Sequence, residues 1–197
     1  EPELVDFKDA RYVFVGANDP SLGKNKRSDT SAIINLAVDL HVGYLYIEMA
    51  SIEKRKPDEI IKDIFEANRR LKRDYGKGFY KFGVETVQFQ YFFKEVMAKM
   101  SVELGEYIPI EEIQSIMNKM LRIESLQPYI RNGYIKFNVK HKTLKKQILE
   151  YPMGRNDDGP DALQMAVALA MTIRALAAKA EYRSVMRRAL KFDDGAY

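Results

Sequence analysis

The sequence predicts a mixed α/β fold with one central β-sheet flanked by α-helices. Three observations carry this expectation. Strand-like runs follow one another at the start of the chain. At Pro57 the apolar period changes to helical spacing, and helical and strand patterns then alternate. The last third is dominated by one long apolar helical pattern opening at Pro160.

Residues 11–17 (RYVFVGA) are β-branched and aromatic and end near Gly16, the pattern of a buried strand. A polar loop, 18–28 (NDPSLGKNKRS), carries Pro, Gly and basic residues. Residues 31–40 and 43–49 read as two strands joined by the short His41-Val42-Gly43 turn, so the opening is a three-stranded meander. Ile60, Ile61, Ile64, Phe65 and Leu71 then recur at helical spacing. Pro57, Asp58 and Glu59 suit that helix's positive end, Arg69, Arg70, Lys72 and Arg73 its negative end, and Gly76 its stop. Residues 79–85 (FYKFGVE) form a fourth strand reached by a helical crossover, which favours a parallel neighbour and a right-handed unit. A helix over 87–104 and a short strand over 107–113 follow. Residues 118–130 read as a helix, and Asn132-Gly133 as a tight turn before a strand over 134–139. Residues 143–150 form a short helix that Pro152 ends, and the final helix runs from Pro160 to about residue 191. Met97, Met100, Met117, Met120, Met165 and Met171 are expected to fill the core. Neither a repeat nor a low-complexity tract interrupts the pattern.

The 197 residues amount to one domain, 46% hydrophobic and 30% charged, enough to bury a core. With no Cys there is no disulfide framework, zinc ribbon or cysteine nucleophile, and 2 His argue against a His-rich metal site or a Ser-His-Asp triad. Metal or acid–base chemistry must then lean on carboxylates. A net charge of +4 permits a polyanionic partner without demanding one. The first ten residues, EPELVDFKDA, lack the apolar core of a cleavable signal. The most apolar stretch, 162–180, is interrupted by Gln164, Thr172, Arg174 and Lys179, so no membrane span is expected. A start at Glu1 suggests a fragment of something longer.

Three acids fall where strands end or helices begin. Asp19 lies just past the first strand, Glu85 closes the fourth, and Asp161 sits in the first turn of the last helix, with Asp158 three residues earlier in the loop. Sites in open α/β sheets gather outside the carboxyl ends of strands, where these acids can converge. Clustered carboxylates repel one another, and divalent cations relieve the repulsion. Oxygen ligands without His or Cys select Mg²⁺, Mn²⁺ or Ca²⁺, and two such ions clamp the attacking and leaving oxygens of a phosphodiester. Taken singly, Asp19 also reads as a turn former and Asp161 as a helix cap. Glu85 is the least ordinary, because an acid closing an apolar strand is poorly placed unless paired. Asp157 reads as a solvated loop residue.

The stretch 18–24 (NDPSLGK) is not a P-loop, since Asn18 stands at the first Gly position and Asn25 at the Ser/Thr position. Its Lys24, Lys26 and Arg27 can instead meet a nucleic-acid backbone. Lys119 and Arg122 share a helix face, and Lys136, Lys140, Lys142 and Lys145 belong to the densest basic stretch, which reads equally as a solvated face.

Four segments, in this order, resemble a known family: DPSxGKxxxSDxSAI at 19–33, GVETVQFQ at 83–90, KMLRIESLQPYIRNGYIKF at 119–137 and LEYPMGRNDDGPDALQMAV at 149–167. Together they resemble the C-terminal nuclease domain of tailed-phage and prophage terminase large subunits, over roughly residues 11–174. The resemblance implies an RNase H-like fold and a metal-dependent endonuclease that cuts concatemeric viral DNA during genome packaging, using two Mg²⁺ or Mn²⁺ ions. By position it implies Asp19, Glu85 and Asp161 as catalytic metal ligands. Asp158 matches a position, held by His or Asp in relatives, that either ligates metal or supports a ligand. It further implies double-stranded DNA as substrate, contacted by the basic residues above. In the full-length protein it implies an N-terminal ATPase domain, absent here, with the portal and a small terminase subunit as partners. The setting would be the host-cell cytoplasm. Two rival readings stay open: an RNase H-like resolvase or transposase core, and a non-catalytic module docking on the portal or DNA.

Overall fold

The computed structural model describes residues 4–20, 30–85, 90–114 and 117–193, and the side chains of all of these except 90–92 and 185–193. β1 (Tyr12–Asp19), β2 (Ser31–Asp39) and β3 (Leu45–Glu53) form the expected antiparallel meander. α1 (Pro57–Tyr75) crosses over to β4 (Phe79–Glu85), which pairs parallel with β1. α2 (Gln90–Leu104) leads to β5 (Ile110–Ile113), parallel to β4. Two short helices, α3 (Lys119–Glu124) and α4 (Gln127–Arg131), precede β6 (Ile135–Lys136), which runs parallel to β3. α5 (Lys142–Glu150) and α6 (Asp158–Asp193) complete the described chain. The sheet order is β5-β4-β1-β2-β3-β6 with β2 alone reversed, the RNase H-like arrangement that the resemblance implies.

α1 starts and stops as its sequence dictates. The Glu59 carboxylate accepts the Lys56 N–H at 2.7 Å, and Gly76, at φ 75°, donates its N–H to the Lys72 carbonyl. The sheet separates two apolar layers. Tyr12, Phe14, Ile33, Phe82 and Val84 face α1 and α2 together with Ile60, Ile64 and Phe65. Val15, Ala17, Ile34, Leu36 and Ile47 face α6 with Ala162, Leu163, Met165, Ala166 and Ala170. α6 is long and apolar enough by length and composition to cross a membrane, yet half of its apolar window is buried within the chain. That is how the central helix of a packed α/β layer behaves.

Several boundaries differ from the sequence reading. β1 runs two residues further, so Asp19 is its last residue rather than a loop residue. The helix expected over 118–130 is two helices. Pro128 lacks an N–H and would clash with the carbonyl of residue 124, where α3 ends. The strand over 134–139 shrinks to β6, and that over 107–113 begins only after Pro109. α6 opens at Asp158, before Pro160, because first-turn N–H groups have no helical partner for proline to remove. Met97 and Met165 are in the core, and Met100 and Met171 pack at its margin. Met117 and Met120 are exposed, against expectation.

Candidate active site

Strand alternation puts two acids on one face. Val15 and Ala17 point toward α6, so Asp19, two residues on, does too. Val84 points away from α6, so Glu85 points toward it. Asn18 lies opposite Val84 in the parallel β1–β4 pair, which makes Asp19 and Glu85 the next rung, on strands about 4.8 Å apart. Both therefore stand at the carboxyl edge of the sheet.

Close packing brings α6 to the same edge. The Gly159 N–H donates to Gln147 Oε1 of α5 at 2.9 Å. A Cβ at Gly159 would come within 2.5 Å of that oxygen and 2.6 Å of Ile52 Cδ1, so a larger residue would push both side chains aside. Ile52 is level with Asp19, each paired with Ala32. The first turn of α6, bearing Asp158 and Asp161, thus sits over the ends of β1 and β4. The Asp161 N–H closes that turn on the Asp157 carbonyl at 3.0 Å.

Three of the acids are buried, Glu85 is half-buried, and cations lie among them. Asp161 is 2% exposed, Asp19 6% and Asp158 8%. Lys119 Nζ lies 3.2 Å from Asp161 and 3.0 Å from Asp157. Arg122, itself largely buried, reaches Asp161 Oδ1 with Nη1 at 3.1 Å and Glu85 with Nη2 at 3.8 Å. Its Nη1 also donates to Gln164 Oε1 at 3.2 Å. Thr30 Oγ1 donates to Asp158 Oδ2. Burial opposes the Lys119 ammonium, but Asp161, Asp157 and Asp19 outweigh it and raise its pKa above the ordinary lysine value. For Asp161 burial wins: its pKa is raised despite Lys119 and Arg122, with Glu85 adding repulsion.

Asp161 Oδ1 is close to Arg122 but accepts no hydrogen bond from it, so the charge is balanced while a buried lone pair goes unused. An all-carboxylate donor set with such an oxygen fits a hard divalent cation, Mg²⁺ or Mn²⁺. Among the described residues, no three acidic or His side chains are drawn tightly enough together to hold an ion as they stand. Arg122 spans the gap between Glu85 and Asp161 instead.

No family model matches the chain, and no curated protein matches it by sequence. Solved structures do match it. The human cytomegalovirus terminase nuclease domain superposes with a TM-score of 0.63 at 16% identity, covering 85% of this chain and 88% of that one. The P22 large terminase nuclease domain gives a TM-score of 0.56 at 14% identity over 80% of each chain. The fold is that of the terminase nuclease domains. The large terminase of the thermophilic bacteriophage D6E matches over 80% of this chain but only 40% of its own, with a TM-score of 0.55 at 11% identity. A Mn-soaked form of the cytomegalovirus domain is also similar, with a TM-score of 0.55 at 16% identity over 85% and 87% of the two chains.

Within this terminase-type fold the four candidate acids reach one edge, and the basic residues scatter. Lys24, Lys26 and Arg27 lie outside the described residues. Lys119 and Arg122 bind the acids rather than standing free on a surface. Lys136 lies over the Tyr44 ring at 4.2 Å and pairs with Tyr46 at the start of β3. That is the opposite edge of the sheet, about 23 Å along the strand from its acid end. Lys140 and Lys142 are exposed and Lys145 is half-buried, the last two on α5. Three residues join the site that the sequence reading did not assign. Asp157, expected in solvent, pairs with Lys119, Gln164 binds Arg122 and Thr30 binds Asp158. Gln164 follows Asp161 by three residues on one helix face, a legible signal. Thr30 gave none.

Proposed function

We propose that this chain is a divalent-metal-dependent DNA endonuclease, the nuclease part of a terminase large subunit, cutting concatemeric viral DNA during genome packaging. One observation carries the reading. In a fold shared with terminase nuclease domains, Asp19 and Glu85 end neighbouring parallel strands beneath the α6 turn that bears Asp158 and Asp161. The Mn-soaked form of the cytomegalovirus domain supports divalent-ion use.

Two Mg²⁺ or Mn²⁺ ions would be held by Asp19, Glu85 and Asp161, with Asp158 beside them. Their chemistry is to lower the pKa of attacking water and to neutralise charge on the departing 3′ oxygen. The chain's own residues prepare that site. Thr30 fixes the Asp158 carboxylate, Gln164 fixes Arg122, and the packing of Gly159 on Gln147 and Ile52 sets the height of the α6 turn. Lys24, Lys26, Arg27, Lys140, Lys142 and Lys145 are proposed to contact double-stranded DNA. The partners this reading brings are an N-terminal ATPase domain, the portal and a small terminase subunit, in the cytoplasm of an infected cell.

The test is plasmid nicking by the 197-residue chain in Mg²⁺, Mn²⁺ or Ca²⁺. Cleavage is expected with Mg²⁺ or Mn²⁺ and not with Ca²⁺, and Asp19→Ala is expected to lose it. Equal cleavage by a folded Asp19→Ala chain would overturn the assignment.

A further inference from the structure

We infer that Arg122, assisted by Lys119, is a built-in counter-cation of the carboxylate site, so that divalent-ion binding there is an exchange of one cation for another. This rests on the metal-binding reading above and goes beyond it, because it assigns Arg122 and Lys119 a role toward the ion rather than toward DNA.

The geometry is unusual for a DNA-contacting arginine. Arg122 is 8% exposed, too enclosed to lie along a phosphate backbone. It divides its guanidinium between Asp161 at 3.1 Å and Glu85 at 3.8 Å, two acids delivered by different elements. Its hydrogen bonding is poor for so buried a group. Nε has no partner, and Asp161 Oδ1 accepts no hydrogen bond despite the short approach. A permanent structural arginine in this protein looks different: Arg70 donates two hydrogen bonds to Glu48, at 2.5 and 2.6 Å. Arg122 therefore supplies charge to the acids without locking their oxygens, which leaves the pair separable. Lys119 completes the arrangement from the half-exposed side, bridging Asp157 and Asp161. α3, which carries both cations, is a short helix of six residues packed on α6. Without Arg122 the facing carboxylates would repel one another, and with it fixed permanently they would reject an ion.

Calorimetric Ca²⁺ titration and Mn²⁺ binding by electron paramagnetic resonance, on the full chain, test this independently of cleavage. Removing a unit positive charge from within about 4 Å of the acids should tighten ion binding on the order of tenfold in Arg122→Ala. The metal-free variant should melt at a lower temperature than the parent, and its gain in melting temperature with Ca²⁺ should be larger. Lys119→Met, at a half-exposed position that tolerates change, should shift ion affinity the same way by a smaller factor. Unchanged or weaker ion binding in folded Arg122→Ala would overturn the inference. If that variant fails to fold, unchanged or weaker binding in Lys119→Met overturns it. A parent chain that binds neither ion would instead sink the proposed metal site itself.

Discussion

Two carboxylates in this protein, Asp161 buried and Glu106 half-buried, each draw two cations, and they end in opposite states. Glu106, in the turn after α2, has a side chain 8% exposed and accepts hydrogen bonds from Asn68 at 2.6 Å, Lys72 at 2.7 Å and Arg69 at 3.1 Å. Burial raises its pKa, but these partners overcome that and hold it below the ordinary value. Asp161 has a side chain 3% exposed, with Lys119 and Arg122 at 3.2 and 3.1 Å, and its pKa stays above the ordinary value. The difference lies in the deeper burial of Asp161 and in the lone pairs rather than in the count of charges. Glu106 is clamped on both oxygens, whereas one Asp161 oxygen accepts nothing. A carboxylate that only ties elements together is satisfied within the chain. One held short of satisfaction at a sheet edge is placed to receive something else.

The contrast is sharpest in activity. Asp161→Asn is expected to lower Mg²⁺-dependent plasmid nicking by about 10³-fold or more, the scale of a lost metal ligand's transition-state stabilisation. Glu106→Ala should leave nicking unchanged. In stability the order reverses. Glu106→Ala breaks three hydrogen bonds to a half-buried charge and should cost about 2 kcal/mol in urea unfolding. Asp161→Asn should cost less than that in the metal-free chain. Equal losses of stability would erase the distinction.

pH separates the two with opposite signs. Glu106 has a lowered folded pKa, so its contribution is present above the ordinary carboxylate value of about 4.3 and is lost as pH falls through the lowered value. Asp161 has a raised folded pKa, so the folded state binds the proton first. Its contribution is full below about 3.9 and is lost as pH rises through the raised value. Melting curves between pH 7 and 3 should show the parent gaining on Asp161→Asn as pH falls, and losing its advantage over Glu106→Gln at the acid end. Parallel curves would count against both assignments. The smallest effect is expected at the exposed Lys62–Asp58 pair, 3.9 Å apart on α1. There Lys62→Ala should change stability by no more than about 0.5 kcal/mol.

The elements were largely legible in the sequence because local chemistry decides them. Runs of β-branched and aromatic residues made β1, β2 and β3, Pro57 and Gly76 bracketed α1, and the helical crossover made β4 parallel to β1. Where elements depart from the periodicity, another local rule decides, as Pro128 does in dividing α3 from α4. The acids were also legible, since Asp19, Glu85, Asp158 and Asp161 stand at element ends. Which basic residues belong with them was not. Lys119 and Lys136 look alike along the chain, yet one pairs with Asp161 and the other covers Tyr44 at the far edge of the sheet.

By itself the sequence determined which residues form strands and helices, and that any metal site here must be built from carboxylates, because those follow from side-chain period and from residue types present or missing. Only the tertiary structure decided that Arg122 would lie between Glu85 and Asp161, and that Asp161 would be left with an unused oxygen. Such partnerships join residues dozens of positions apart. They are fixed by how α3 and α6 pack on the ends of β1 and β4, and burial, which sets their electrostatic strength, exists only once those layers close.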